Sequence, residues 1–189
     1  MSEHPVDLAM IEAAARRIRG RVRETPVLDP TPMRGPVLDS GRLILKLECL
    51  QVTGSFKARG ASNKLATLDA AARSRGLVTA SGGNHGLAVA YAAASAGVPA
   101  QIFVPESTPA AKVAKLRQWG AEVTVAGAVW DDAQAAALDA HRGNGMTYVH
   151  PFADPEVIAG QGTLAIEVLR QVPDADTLVV AIGGGGVMA

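Results

Sequence analysis

The sequence has 189 residues, of which 48% are hydrophobic and 19% are charged, and its 18 basic side chains balance its 18 acidic ones. This composition excludes an intrinsically disordered chain, and zero net charge with only 4% aromatic residues argues against nucleic-acid binding. Cys49 is the only cysteine, so no disulfide forms within the chain, and a reducing, cytoplasmic location is expected with small molecules as partners.

The apolar pattern predicts helices and strands in a regular order. Apolar residues recur at helical spacing from Val6 to Ile18, and residues 43–48 alternate like a strand with one buried face. From residue 77 onward, strand and helix patterns alternate. The predicted strands there are 77–79, 101–104, 122–125, 148–149 and 178–182; the predicted helices are 84–96, one starting at Pro109, one capped by Asp131, and one from Asp154 to Arg170.

This alternation is typical of an α/β protein whose parallel sheet is covered by crossover helices on both faces. The stretch 77–104 has no charged residue, but Ser81, Asn84 and His85 interrupt it, so we do not interpret it as a membrane span. Four glycines follow the predicted strand 178–182 directly, where a covering helix is expected. We therefore expect the sequence to be truncated at its C-terminus.

One lysine lies in a context that favours covalent chemistry. Lys57 stands between Gly54 and Gly60, next to Phe56, at the start of a helical pattern. A lysine in an apolar pocket loses its charge more easily and can form a Schiff base. The alternative is a solvated lysine in the first turn of a helix.

Two glycine-rich segments favour anion binding. Residues 81–86 lie between a predicted strand and a predicted helix, where free backbone amides attract a carboxylate or phosphate. The glycines 183–186 follow the last predicted strand and have the same potential. The alternatives are a tight turn with His85 merely packed and a flexible tail. The histidines lack metal-ligand spacing, and Cys49 is interpreted as a core thiol.

Together these segments resemble the pyridoxal-phosphate (PLP) enzymes of the tryptophan-synthase β fold, fold type II. The similarity is greatest to the group that contains serine/threonine dehydratase (threonine ammonia-lyase) and serine racemase. Five strings in family order carry it: Lys46-Leu47-Glu48; Thr53 to Ala61; Ser81 to Gly86; His150-Pro151-Phe152 with Val157 to Thr163; and Gly183 to Gly186.

The resemblance implies a role for each motif. Lys57 is expected to hold PLP as a Schiff base and to act as the base for the α-proton, with Phe56 near the cofactor ring and Asn84 bonded to its phenolic oxygen. The residues expected to bind the cofactor phosphate are Gly183, Gly184, Gly185, Gly186 and Val187. Those expected around the substrate carboxylate are Ser81, Gly82, Gly83 and His85.

The implied reaction is a β-elimination of L-threonine or L-serine, which gives a 2-oxo acid and ammonia. Racemases of this group carry a serine at the position of Gly82, where it serves as acid and base on the second face of the substrate. Glycine has no group for that task, so the sequence favours a dehydratase. The alternatives are a catalytically incomplete fragment that at most binds PLP, and a racemase-type relative.

The resemblance also implies a domain division. Residues 1–74 and 150–189 are expected to form parts of a large PLP domain, and residues 75–149 a small α/β domain. A homo-oligomer, a dimer, is expected for the full-length form.

Overall fold

A computed structural model describes residues 6–30, 35 and 38–189. Short strands and longer helices alternate along these residues. The helices are α1 Leu8–Ile18, α2 Lys57–Thr67, α3 Ala70–Arg75, α4 Asn84–Ala96, α5 Ala110–Gln118, α6 Trp130–Asn144 and α7 Pro155–Gln171, with a 3-10 helix at Glu48–Leu50. The strands are β1 Val27–Leu28, β2 Leu45–Lys46, β3 Leu77–Ala80, β4 Ala100–Val104, β5 Glu122–Val125 and β6 Thr147–Tyr148. Within these ranges, no helix is both long enough and apolar enough to cross a membrane.

The central element is a parallel sheet with the strand order β5-β4-β3-β6. Leu77 and Ile102 belong to one core cluster, which includes buried residues of α4 and α5, whereas Val78 and Phe103 pack with Ala133 of α6 on the other face. The α/β class with a parallel sheet covered on both faces is therefore confirmed. β1 and β2 form a separate antiparallel pair.

The sheet order determines where its loops meet. Because β3, β4 and β6 run parallel, the segments that follow them leave from the same edge. These segments are residues 81–83, 105–109 and 149–154. Three loops that are far apart in sequence are thus neighbours in space.

Helices α2 and α7 cross at two glycines. A Cβ atom on Gly160 would lie 2.6 Å from the Cα of Gly60 and 2.7 Å from the carbonyl oxygen of Arg59. The Gln161 side chain closes the contact, because its Oε1 accepts a hydrogen bond of 3.2 Å from the Gly60 amide. Only backbone fits at this crossing, so it fixes the position of α2.

A buried ion cluster holds the same helix. The Arg59 side chain is fully buried and donates to both oxygens of Glu48 and of Glu167 at 2.7–2.8 Å. Lys46 adds a 2.7 Å ion pair to Glu167 and a 2.6 Å hydrogen bond to the Thr25 carbonyl. Burial would raise the pKa of Glu167, but the hydrogen bonds from Arg59 and Lys46 outweigh it and lower that pKa.

The prediction of a strand at residues 178–182 is wrong. These residues have no regular secondary structure, and Val179 is 94% exposed. A strand requires a neighbouring strand for its backbone hydrogen bonds, and the described residues place none beside this segment.

Two smaller predictions are also corrected. Asp131 does not cap α6; instead Asp132 accepts hydrogen bonds from the amides of Ala128 and Val129, at 2.9 and 3.2 Å. Cys49 is exposed rather than in the core, because it lies in the short 3-10 helix whose Glu48 carboxylate turns inward to Arg59.

The helix crossing predicts a sharp contrast between two glycines. Gly160→Ala should destabilise the fold by about 1–3 kcal/mol, because its methyl group meets backbone atoms that cannot rotate away. Gly143→Ala in α6 is the matched control, since a Cβ there has nothing within 4 Å, and it should stabilise the fold by about 0.5 kcal/mol. Urea unfolding followed by circular dichroism measures both. Equal effects at the two positions would contradict the proposed close contact.

Candidate functional site

The amine of Lys57 lies at the start of α2 and points at the segment that follows β6. Its Nζ donates a 2.7 Å hydrogen bond to the carbonyl oxygen of Pro151 and lies 5.1 Å from the centroid of the Phe56 ring. Burial lowers the pKa of Lys57. A larger fraction of this amine is therefore neutral, and able to react as a nucleophile, than for a solvated lysine.

Segment 149–152 is where several motif residues meet. The carbonyl oxygen of Val149 accepts hydrogen bonds from Thr79 Oγ1 at 2.8 Å and from His85 Nε2 at 3.0 Å. Two residues further on, the Pro151 carbonyl receives Lys57. The segment thus joins β3, α4 and α2.

His85 is buried and uncharged. Burial lowers its pKa to about 4; the Val149 carbonyl partly opposes this shift, and the charges of Lys57 and His150 add to it. Since a carbonyl can only accept, Nε2 carries the proton, and Nδ1 has no hydrogen-bond partner among the residues that the structure describes. A neutral ring gives a carboxylate no charge attraction, so the group of His85 available to an anion is its backbone amide.

The loop 81–86 forms a tight junction between β3 and α4. Ser81 Oγ accepts a 3.2 Å hydrogen bond from the Gly83 amide. A Cβ on Gly86 would collide with the Ser81 carbonyl, so glycine is required for α4 to begin this close to the strand. The amides of residues 84–86, in the first turn of α4 at the sheet edge, donate to no acceptor outside the helix among the described residues.

Gly82 faces a side chain from the neighbouring loop. A Cβ on Gly82 would lie 2.7 Å from Thr108 Cγ2 and 3.0 Å from Thr108 Oγ1. Thr108 follows β4, and its half-buried side chain occupies the space that a larger residue 82 would need. The two positions are therefore coupled by packing.

The glycine loop, residues 183–187, packs against Phe152. A Cβ on Gly186 would lie 2.7 Å from the Phe152 carbonyl oxygen, and one on Gly184 would collide with the Phe152 ring. Gly185 has a φ of +87°, which favours glycine. None of the five amides in this loop donates to another described residue, so they are available to an anion.

The structure brings some predicted site residues together and leaves others apart. Lys57, His85 and the glycine loop all contact segment 149–152. Asn84 is exposed at the start of α4, and no hydrogen bond in the described residues joins it to Lys57. The binding roles of Asn84 and of residues 81–83 therefore stay predictions.

Sequence reasoning missed the residues that organise this site. The Pro151 and Val149 carbonyls are backbone groups, which leave no sequence signature, although His150-Pro151-Phe152 is one of the strings that carry the resemblance. No sequence pattern indicated that Thr108 is a neighbour of Gly82, because only the pairing register of β3 and β4 brings the two residues together.

The lowered pKa of His85 predicts a measurable pH dependence. Below pH 6.5 the unfolded chain protonates this histidine, whereas the folded chain does not until about pH 4, so stability falls across that window. His85→Gln removes the titrating group and should reduce the loss of unfolding free energy between pH 7 and pH 4 by roughly 3 kcal/mol. Urea unfolding at both values tests this. A His85 imidazole that titrates near pH 6.5 in NMR spectra, identified by the loss of its signal in His85→Gln, would contradict this prediction.

Comparison with known proteins shows which family the chain resembles. The family model for "Pyridoxal-phosphate dependent enzyme" matches residues 18–189. The chain is 42% identical over 184 residues to L-threonine ammonia-lyase of Thermotoga maritima, covering 97% of this chain and 45% of that protein. It is 39% identical over 186 residues to serine racemase of Oryza sativa subsp. indica, covering 98% and 54%. The solved structure of maize serine racemase is similar, with a TM-score of 0.91 and 37% identity over 98% of this chain and 56% of that one.

The chain spans about half the length of the curated relatives it matches. The family match, by contrast, extends over nearly all of its residues and confirms the resemblance drawn from its motifs. The chain belongs to the pyridoxal-phosphate dependent enzymes.

Proposed function

We propose that this chain carries the lysine side of the active site of a PLP-dependent ammonia-lyase, which converts L-threonine or L-serine to a 2-oxo acid and ammonia. The observation that carries the proposal is the half-buried Lys57 amine on the Pro151 carbonyl, one residue from the Phe152 side chain that contacts the glycine loop. The threonine ammonia-lyase among its relatives supports this reaction.

The residues present fit the cofactor. An aldehyde requires a neutral amine, which the lowered pKa of Lys57 favours. A phosphate dianion requires several hydrogen-bond donors, and the amides of residues 183–187, which donate to no other described residue, can supply them. When bound, pyridoxal phosphate supplies an electron sink for negative charge at the substrate α-carbon.

Lys57 is also the proposed base for the α-proton. Its hydrogen bond to Pro151 uses one N–H of the amine and so orients the nitrogen. Burial favours the neutral form, in which the nitrogen lone pair can accept a proton. The same residue would therefore attach the cofactor and move the proton.

The substrate carboxylate is proposed to bind at the start of α4. The free amides of residues 84–86 and the positive end of the helix favour an anion there. The His85 ring stays neutral and keeps its Nε2 on Val149, so it holds this turn in place rather than binding by charge.

A second candidate is that the chain is catalytically incomplete and at most binds PLP. The half-length match to its relatives and the 94% exposure of Val179 favour it. We also propose that residues 1–74 and 150–189 form parts of a large PLP domain and residues 75–149 a small α/β domain. The dimer is proposed for the full-length form.

Covalent labelling tests the lysine assignment. The chain is incubated with PLP, reduced with borohydride, and digested for mass spectrometry; we expect the adduct on Lys57. Lys57→Ala should lower labelling at least about tenfold, because Lys57 is the only lysine among the described residues whose amine hydrogen-bonds to Pro151. Lys112→Ala, which removes an exposed lysine on α5, is the matched control and should label like the wild type.

Each result separates the two candidates. An adduct on Lys57 together with 2-oxo acid from L-serine or L-threonine supports the ammonia-lyase. An adduct without turnover supports the incomplete site. Equal labelling of Lys57→Ala and the wild type contradicts the assignment of Lys57 as the cofactor-binding lysine.

The contact between Gly82 and Thr108 yields a prediction about the racemase alternative. Gly82→Ser alone should destabilise the fold by about 1–3 kcal/mol, because its Cβ overlaps Thr108, and adding Thr108→Ala should recover most of that loss. Exchange of the α-proton of D-serine with deuterium should rise at least about tenfold in the double variant and less in Gly82→Ser. Urea unfolding and proton NMR measure the two effects; a Gly82→Ser variant as stable as the wild type would show that the overlap is absent.

A further inference from the structure

The aromatic ring of Phe152 is the surface on which the glycine loop rests. Gly184 lies so close to the ring that any side chain would collide with it, and a Cβ on Gly186 would lie 2.9 Å from the Phe152 Cα. Both contacts are made by the bare backbone of the loop. The path of residues 183–187 is therefore defined by Phe152 and not by hydrogen bonds within the described chain, apart from those of Met188 and Ala189 to the Gly185 carbonyl.

His150 in turn fixes Phe152. The Nδ1 atom of His150 accepts hydrogen bonds from the backbone amides of Phe152 at 3.2 Å and Ala153 at 2.9 Å. The two rings also pack edge to face, with centroids 4.6 Å apart. The imidazole therefore closes a turn over residues 150–153 that holds the Phe152 ring in one orientation.

The same turn presents the acceptor for the reactive amine. Pro151 lies between His150 and Phe152, and its carbonyl oxygen receives the hydrogen bond from Lys57 Nζ at 2.7 Å. This turn of four residues therefore sets the positions of both the Lys57 amine and the glycine loop. It thereby fixes the distance between the amine and the anion-binding amides that a ligand would contact.

We propose that Phe152, held by His150, is a positioning residue that keeps the amides of residues 183–187 open for a phosphate monoester. The inference rests on the proposed function, because it concerns the phosphate-binding part of that site. It holds that Phe152, a residue outside the glycine loop, determines how the loop amides are arranged. Phe152 touches the loop backbone and acts through it.

Two aldehydes that differ only in the phosphate test this role. The purified chain is titrated with pyridoxal phosphate and with pyridoxal, and the absorbance of the lysine-linked adduct gives two dissociation constants. The dissociation constant of pyridoxal divided by that of pyridoxal phosphate measures how much the phosphate contributes to binding. Phe152→Leu should lower this ratio by about tenfold or more and leave the dissociation constant for pyridoxal within about twofold.

Matched variants separate positioning from general damage. Trp119→Leu removes an aromatic ring at the end of α5, far along the chain from the turn, and should keep the wild-type ratio. His150→Asn preserves an acceptor for the turn amides and should keep most of the ratio, whereas His150→Leu removes the acceptor and should behave like Phe152→Leu. The His150 pair provides the test if Phe152→Leu does not fold.

A phosphate probe without the lysine chemistry distinguishes the two proposals. In phosphorus NMR, Lys57→Ala should still bind inorganic phosphate, and Lys57→Ala with Phe152→Leu should not. A wild-type ratio in Phe152→Leu, or equal binding of phosphate in those two variants, overturns the role of Phe152. Failure of the Lys57 assignment shows differently, as an unchanged adduct in Lys57→Ala while the phosphate contrast persists.

Discussion

The structure depends on a fully buried guanidinium. Taking the Arg59 charge out of water costs several kcal/mol unless acceptors surround it, and the carboxylates of Glu48 and Glu167 supply them. Because these carboxylates come from the 3-10 helix before α2 and from α7, the cation can be satisfied only when both segments are in place. Arg59 lies two residues after Lys57. The electrostatic need of one side chain therefore sets the position of the helix that carries the reactive amine.

Glycine contacts and the ion cluster act on the same pair of helices in different ways. At Gly60 and Gly160 the backbones of α2 and α7 touch, which leaves no tolerance for a side chain. Around Arg59 the two helices are linked by charged groups whose geometry is directional. Close packing sets the distance between α2 and α7, and the ion pairs set the rotation of α2 about its own axis. Together they direct Lys57 toward Pro151.

Local patterns predicted the periodic parts of this fold well. Helix α4 and strand β5 fall on their predicted bounds, because apolar spacing and glycine positions are local signals. Helix α3, a short helix with no buried residue, had no such signal and was not predicted. The segment 178–182 has the apolar content of a strand, but no strand within the described part of the chain lies beside it for pairing. In the site, motifs identified Lys57 and the glycines, whereas the carbonyls of Val149 and Pro151 and the Arg59 cluster arise from contacts across the fold that no local pattern encodes.

The contact of Lys57 with Pro151 joins residues 94 apart in sequence, and that of Arg59 with Glu167 joins residues 108 apart. Bringing together groups so distant in the chain carries a large loop-closure entropy, which falls once the intervening sheet has formed. The site around Lys57 is thus assembled by long-range contacts, and we expect it to persist only while the parallel sheet between the joined segments is intact. Fraying of that sheet would disperse the amine and its acceptor together. We therefore expect the hydrogen bond of Lys57 to Pro151 to report on the folding of the whole chain rather than on local order around the lysine.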